Sequence, residues 1–432
     1  MRAKPISRRD LDIAAGLVLD AVGSVIAGRN SIPGRKLLAW SRDQALGSGP
    51  RIPDAGRLAF LLGGLCHILE LDDLHRASVV HPGCVVVPAV MALGIGTDGR
   101  TALAAVLHGY EAACRVGQAV GAEHYRIWHN TATCGPFGSA LAAARLLDLD
   151  RDQTVHALGN AGSQSAGLWE FIDTGAETKH LHAARAAEAG VVAAQLALHG
   201  FTGAPRILDG ERGFFRAMCP DGDPGVVLAD PDAPWQVHLT SIKPWPSCRH
   251  THPAIDAARR SRAELDRRGV SIANVSGIKV ATYRAALALC DRPQPDTAYQ
   301  AKFSLQHCVA AALVDGNLDL SSFDDAARQR VREISARVIV REDGEFERAY
   351  PQNWGSRIIL QLPDGSEVSV TTTDARGDPE LPLSRDELAR KADALLRHGG
   401  VSDPAPLIEA VLAMPDGDSV PDLTRYVFSA AA

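Results

Sequence analysis

The strongest constraint on this chain is the density of small residues at helical spacing through its first two hundred positions. Segments 135–147, 152–167 and 180–199 are rich in alanine and glycine. Alanine favours helix intrinsically, and side chains this small let helix backbones approach closely. Segments 10–28, 56–71 and 84–94 carry apolar residues with helical periodicity. Ser7 and Asp10 have the spacing of a capping box ahead of the first, and Thr101 is placed to cap a helix running to about Ala119. Residues 252–268 predict a further helix ending near Gly269. The expected fold class is therefore mainly α.

The character changes after residue 269. SGIKVATY at 276–283 and ARVIVR at 336–341 have strand composition, and residues 357–373 predict a hairpin turning at Asp364-Gly365. Helices are expected at about 302–314, 321–334 and 383–397, so residues 270–398 form a smaller α+β region. Helical character returns at 403–414.

Several classes are excluded. With 45 basic and 51 acidic residues the chain of 432 has a net charge of −6 and no basic footprint for nucleic acid. No uncharged apolar run reaches ~18 residues, so no membrane span is expected, and the N-terminus lacks a signal-peptide pattern. The eight cysteines include no C-x-x-C pair and fit reduced thiols in a cytoplasmic setting. Residues Gly94 to Gly99 spell G-x-G-x-x-G, but helices flank them where a dinucleotide site needs a strand, so they predict a turn. Nucleophile-elbow, Walker and HExxH patterns are absent.

Polar residues gather in five places. Glu70-Leu71-Asp72-Asp73-Leu74-His75 and His81-Pro82 lie between two very apolar helices, where burying such groups demands partners or a role. His129, Asn130 and Thr131 precede a helix start able to hold a carboxylate. Lys179, His180 and His182 open the alanine-rich helix, where positive charge opposes the helix dipole unless an anion joins it. The chain has only seven lysines, which makes this one conspicuous. Lys243 to Pro253 packs Lys243, Cys248, Arg249, His250 and His252 onto proline-stiffened backbone, a setting for carboxylate recognition. Lys302-Phe303-Ser304-Leu305-Gln306-His307 opens a helix of the α+β region. A metal site from Asp72, Asp73, His75 and His81 has suitable ligand types but no supporting spacing motif.

Together these segments resemble the MmgE/PrpD family, whose members include 2-methylcitrate dehydratase, cis-aconitate decarboxylase and iminodisuccinate epimerase. The matching pieces are Asp72-Asp73-x-His75 with His81-Pro82, His129-x-Thr131 with Gly135-x-Phe137-Gly138, Thr178-Lys179-x-x-His182, and GFTGAPRILDGERGFF at 200–215. Lys243-Pro-Trp-Pro-Ser-Cys with His252-Pro253, Lys302-Phe-Ser-Leu, and Gly377-Asp378-Pro379 follow in the family's order, over about residues 10–400. The resemblance implies a large helical domain from both chain ends (1–268 and 399–432) and an inserted α+β lid (269–398). It implies an active site between the domains, a homodimer, and no metal, cluster or nucleotide cofactor.

Family chemistry removes a proton next to a carboxylate or forms a carbanion by losing CO₂. That calls for cations where charge develops and an acid or base at the carbon. By position His81, Lys179, Lys243, His307 and Asp73 are the candidate catalytic residues. Asp72, His75, His129, Thr131, His182, Cys248, Arg249 and His252 are candidate substrate contacts, and either Asp72 or Asp73 would orient His81. The sequence departs from the pattern at Leu74 (usually Thr), Gln306 (commonly Pro), His307 (often Tyr) and Cys248, where decarboxylases carry an acid/base histidine. The reading is a hydro-lyase acting on a small di- or tricarboxylate. An epimerase using His81 and His307 on opposite faces comes next, then a decarboxylase. A metallohydrolase and a non-catalytic binding protein are the alternatives from other classes.

Overall fold

The computed structural model describes residues 4–44 and 54–429; residues 1–3, 45–53 and 430–432 of the expected helical domain lie outside that range. The chain divides into two compact units, Met1–Ile242 with Ser384–Ala432, and Lys243–Leu383.

The first unit is helical. Helix Arg8–Gly28 opens with the expected capping box: Asp10 N–H donates to Ser7 Oγ at 3.2 Å, and Ser7 N–H to Asp10 Oδ2 at 2.7 Å. This helix is long and apolar enough to cross a membrane by length and composition, yet most of it is buried inside the unit. Its Asp20 takes Lys391 as an ion-pair partner, and Leu388 and Leu395 of helix Arg385–His398 meet its Gly16 and Gly23. That packing puts 385–398 in the helical unit, where the expected boundary at 398 had given it to the lid.

The expectation of close helix packing holds. A Cβ at Gly190 of helix Thr178–Leu198 would lie 2.1 Å from Ser139 Oγ of helix Asn130–Leu146. Ser139 Oγ in turn donates to the Ala186 carbonyl at 2.7 Å, so a backbone acceptor is met across the contact. The turn at Gly94 to Gly99 joins helices Gly83–Leu93 and Gly99–Ala119. Asp98, not Thr101, caps the second, accepting from Thr101 N–H at 2.9 Å; a carboxylate three residues upstream reaches the first-turn donor that Thr101 itself presents. Helix Ile32–Gln44 and the strand pair Leu74–His75 with Thr240–Ser241 were not expected.

The second unit holds a four-stranded sheet in the order Val338–Glu342, Gly277–Thr282, Ser356–Gln361, Glu367–Thr372. The first two strands are parallel and the other pairings antiparallel; the last two form the expected hairpin, with Gly365 at φ 82°. Helix His252–Arg268 buries Ala254, Ile255, Ala258 and Leu265 in the same core as Ile278, Val280, Ile358 and Leu360. It therefore belongs with the sheet, so this unit begins at Lys243, a helix earlier than the expected boundary at 268/269.

Candidate active site

Helix Ala55–His67 ends at His67, and the chain then turns back on itself at Glu70, whose φ is 59°. A left-handed conformation costs a non-glycine residue roughly 1–2 kcal/mol. The turn is held by what it presents. Glu70 pairs with buried Lys179 at the start of helix Thr178–Leu198, and Lys391 Nζ donates to the Leu71 carbonyl at 2.9 Å. Glu70 is thus the anion that joins Lys179 against the helix dipole.

The turn brings Asp72 beside two imidazoles. Asp72 Oδ2 is 2.7 Å from His67 Nδ1 and 3.3 Å from His81 Nδ1. His81 Nδ1 is also 2.6 Å from the Asp73 backbone carbonyl. A carbonyl only accepts, so Nδ1 carries a hydrogen, and in the neutral ring Nε2 keeps the lone pair. His81 N–H donates to Thr131 Oγ1 at 3.1 Å, so the predicted Thr131 holds this histidine's backbone.

The two aspartates therefore divide. Asp72 faces His81, while the Asp73 carboxylate accepts from Tyr110 OH at 2.6 Å and from Gly83 N–H at 2.8 Å. A Cβ at Gly83 would come within 2.6 Å of Asp73 Oδ1, so this helix start needs glycine. Burial pushes the Asp73 carboxyl up to about 8, against the pull of Tyr110. A carboxyl raised on folding is bound more tightly by its proton in the native state, so it favours folding at acid pH and loses that contribution as pH rises from about 4 toward about 8. Asp73→Asn should remove this loss. Chemical unfolding at several pH values is expected to show the variant gaining on the parent protein across that window.

His129 and His182 approach with their Nδ1 atoms 3.2 Å apart. His67 stacks on His129 at 5.8 Å and meets His81 edge-on at 4.8 Å, while Trp169 covers His129 at 4.7 Å. Burial holds His129 well below the ordinary histidine value, with His67, Lys179, His182 and His81 adding to the effect; burial, His67 and Lys179 take His182 down to about 4. Such a cluster gains protons when an anion enters it. His67, Asp72 and Cys84 place N, O and S donor atoms within 4.8 Å of one another, types that suit zinc. They already serve the cluster: His67 bonds Asp72, and Cys84 Sγ lies 3.2 Å from the His81 carbonyl.

His75 is not brought into this group. Its Nδ1 bonds Ser78 Oγ at 2.8 Å, its N–H donates to the Val80 carbonyl at 2.9 Å, and burial takes it down to about 3. Its position is that of a turn-holding residue rather than a substrate contact.

In the second unit Arg249 pairs with Asp378, both buried, and Asp378 Oδ2 accepts from Ala375 N–H at 2.9 Å. Arg249 Nε and Nη1 have no hydrogen-bond partner among the described residues, leaving two buried donors suited to a carboxylate. Lys243 is fully buried. Burial, then Arg249 and Lys243, hold His250 down to about 3; its Nδ1 bonds Tyr283 OH at 2.7 Å. Cys248 N–H donates to the Lys302 carbonyl at 2.9 Å, and His252 Nε2 lies 3.3 Å from the Ser247 carbonyl, so both help to shape the 243–253 segment. His307 Nε2 bonds the Ser322 carbonyl at 2.9 Å, its N–H is capped by Ser304, and Phe323 packs on its ring. The carbonyl fixes a hydrogen on Nε2 and burial lowers its basicity, which suits core packing rather than proton transfer.

Asp378→Ala would leave the Arg249 guanidinium buried without its counter-charge. A loss of roughly 3–5 kcal/mol is expected from removing one partner of such a pair, measurable by denaturant unfolding.

Residues that sequence reasoning missed are His67 and Tyr110. His67 ends a strongly apolar helix, where a single polar side chain reads as core, and Tyr110 lies within the mixed helix Gly99–Ala119. The usable signal for His67 was its place at the helix end, five residues before Asp72.

The helical unit thus holds a buried histidine–carboxylate–lysine cluster, and the α+β unit holds buried Lys243 and Arg249. The MmgE/PrpD N-terminal domain family matches residues 1–226 and the MmgE/PrpD C-terminal domain family residues 245–413. The chain belongs to the MmgE/PrpD family. It is similar to cis-aconitate decarboxylase of Aspergillus terreus, 26% identical over 381 residues, which cover 82% of this chain and 77% of the relative. The Homo sapiens cis-aconitate decarboxylase is 27% identical over 351 residues, 77% of this chain and 71% of the relative. The 2-methylcitrate dehydratase of Cupriavidus necator is 25% identical over 238 residues, 53% and 49% respectively. These relatives are lyases, and the chain is a lyase-type enzyme.

Proposed function

We propose that this enzyme dehydrates a small hydroxylated di- or tricarboxylic acid, taking a proton from the carbon next to a carboxylate with side chains alone, as a cytoplasmic homodimer. One observation carries the reading: His81 Nδ1 bonds the Asp73 carbonyl beside the Asp72 carboxylate, which would make Nε2 the proton-accepting atom of the neutral ring. The remaining residues fit a polyanion. Lys179 stabilises charge developing on the substrate carboxylate, and His129 and His182 become protonated as the anion binds. In the second unit, Arg249 keeps two buried donors suited to a carboxylate.

Decarboxylation is the second reading, favoured by the broad coverage of the cis-aconitate decarboxylases. Against it stands Cys248, at the position where the family resemblance implies an acid/base histidine for decarboxylases; its backbone is tied to Lys302. Incubation with citrate, 2-methylcitrate and cis-aconitate, followed by ¹H NMR and CO₂ detection, separates the two. Alkene formation with water loss, and no CO₂, is the expected result. CO₂ release from cis-aconitate would replace the dehydratase reading with the decarboxylase one.

A further inference from the structure

We propose that His67 is a positioning residue for proton transfer at His81: its Nδ1–H fixes the Asp72 carboxylate as the stationary counter-charge of the His81 imidazole. The proposal rests on the reading of His81 as the acid/base.

Asp72 Oδ2 is closer to His67 Nδ1, at 2.7 Å, than to His81 Nδ1, at 3.3 Å. The short bond of His81 Nδ1 goes instead to the Asp73 carbonyl, at 2.6 Å. A carboxylate free to swing would compete with that carbonyl for the His81 hydrogen; His67 holds it back. The His67 ring is wholly buried, edge-on to His81 and stacked on His129, so it cannot turn without displacing both. The left-handed turn at Glu70 folds residues 67 and 72 together, giving that local strain a purpose.

The groups facing His81 are Asp72 and the Asp73 carbonyl from the connecting segment, His67 from helix Ala55–His67, His129 at the head of Asn130–Leu146, and Cys84 of helix Gly83–Leu93, whose Sγ reaches the His81 carbonyl. Lys179 and His182 of Thr178–Leu198 act on His129. A change at position 67 removes the nearer of the two imidazole partners of Asp72, together with the effect of His67 on His129 and His182. A buried carboxylate without its nearest donor takes a proton more readily. His81 then loses its counter-charge and becomes a weaker base.

Two variants separate positioning from bulk. Asparagine carries its amide where Nδ1 stands and glutamine where Nε2 stands. H67N is expected to keep kcat and the acid limb of its pH profile close to those of the parent protein. H67Q is expected to lower kcat by roughly 10- to 100-fold, with KM little changed and the acid limb displaced to lower pH. D72N, which removes the charge itself, should move the limb the same way and serves if H67Q fails to fold. Equal impairment of H67N and H67Q, or an unmoved limb in H67Q or D72N, overturns the proposal. H81Q is measured alongside: an inactive H81Q with a normal H67Q overturns this inference alone, whereas an active H81Q overturns the reading of the site and this inference with it.

Discussion

His81→Gln is expected to lower kcat/KM by roughly 10²- to 10⁴-fold, the usual contribution of one positioned acid or base. The fold should survive. Glutamine can keep an amide near the ring's polar positions, and the His81 N–H bond to Thr131 is a backbone contact that the substitution leaves in place. Steady-state kinetics with a thermal melt is the check. A variant within about threefold of the parent in kcat/KM would show that transition-state stabilisation does not pass through this ring.

Lys179→Met has the second large effect, and it is double. On the proposed reading, the charge that stabilises a developing carbanion is lost, for roughly 10²–10³ in kcat. Glu70 is also left buried without its ion-pair partner, at a cost of roughly 3–5 kcal/mol of stability. The two effects come apart in the double variant Glu70→Gln, Lys179→Met. Removing both charges is often near neutral for folding, so the unfolding midpoint should recover while activity stays low. Recovery of both would make the pair purely structural. Recovery of neither would mean that Lys179 is bound into the fold by more than Glu70.

The parts of this molecule legible in sequence are those governed by local rules. Ser7 and Asp10 announced their capping box, Asp364-Gly365 its hairpin, and the alanine-rich segments their helices, because each depends on neighbours a few residues away. The polar clusters at 70–75, 81, 129–131 and 179–182 were legible for a different reason: buried charge next to apolar helices is costly enough to stand out. What could not be read was partnership across the fold. Nothing local separates Asp72 from Asp73; the difference arises because Tyr110, thirty-seven residues on, takes the second carboxylate. His67 was hidden by its apolar helix. His75 and His307 looked like chemistry and instead bond Ser78 and the Ser322 carbonyl, partners that the one-dimensional pattern does not reveal. The limits of the second unit moved for the same reason: helices 252–268 and 385–398 resemble each other in sequence, and only their packing assigns one to the sheet and the other to helix Arg8–Gly28.

The most direct test of the central claim is solvent exchange. Parent protein and H81Q are incubated in D₂O with a panel of di- and tricarboxylic acids and followed by NMR. The parent protein is expected to place deuterium at the carbon next to a carboxylate of at least one acid, and H81Q to do so far more slowly. No exchange with any acid, or exchange by H81Q at the parent rate, would contradict it.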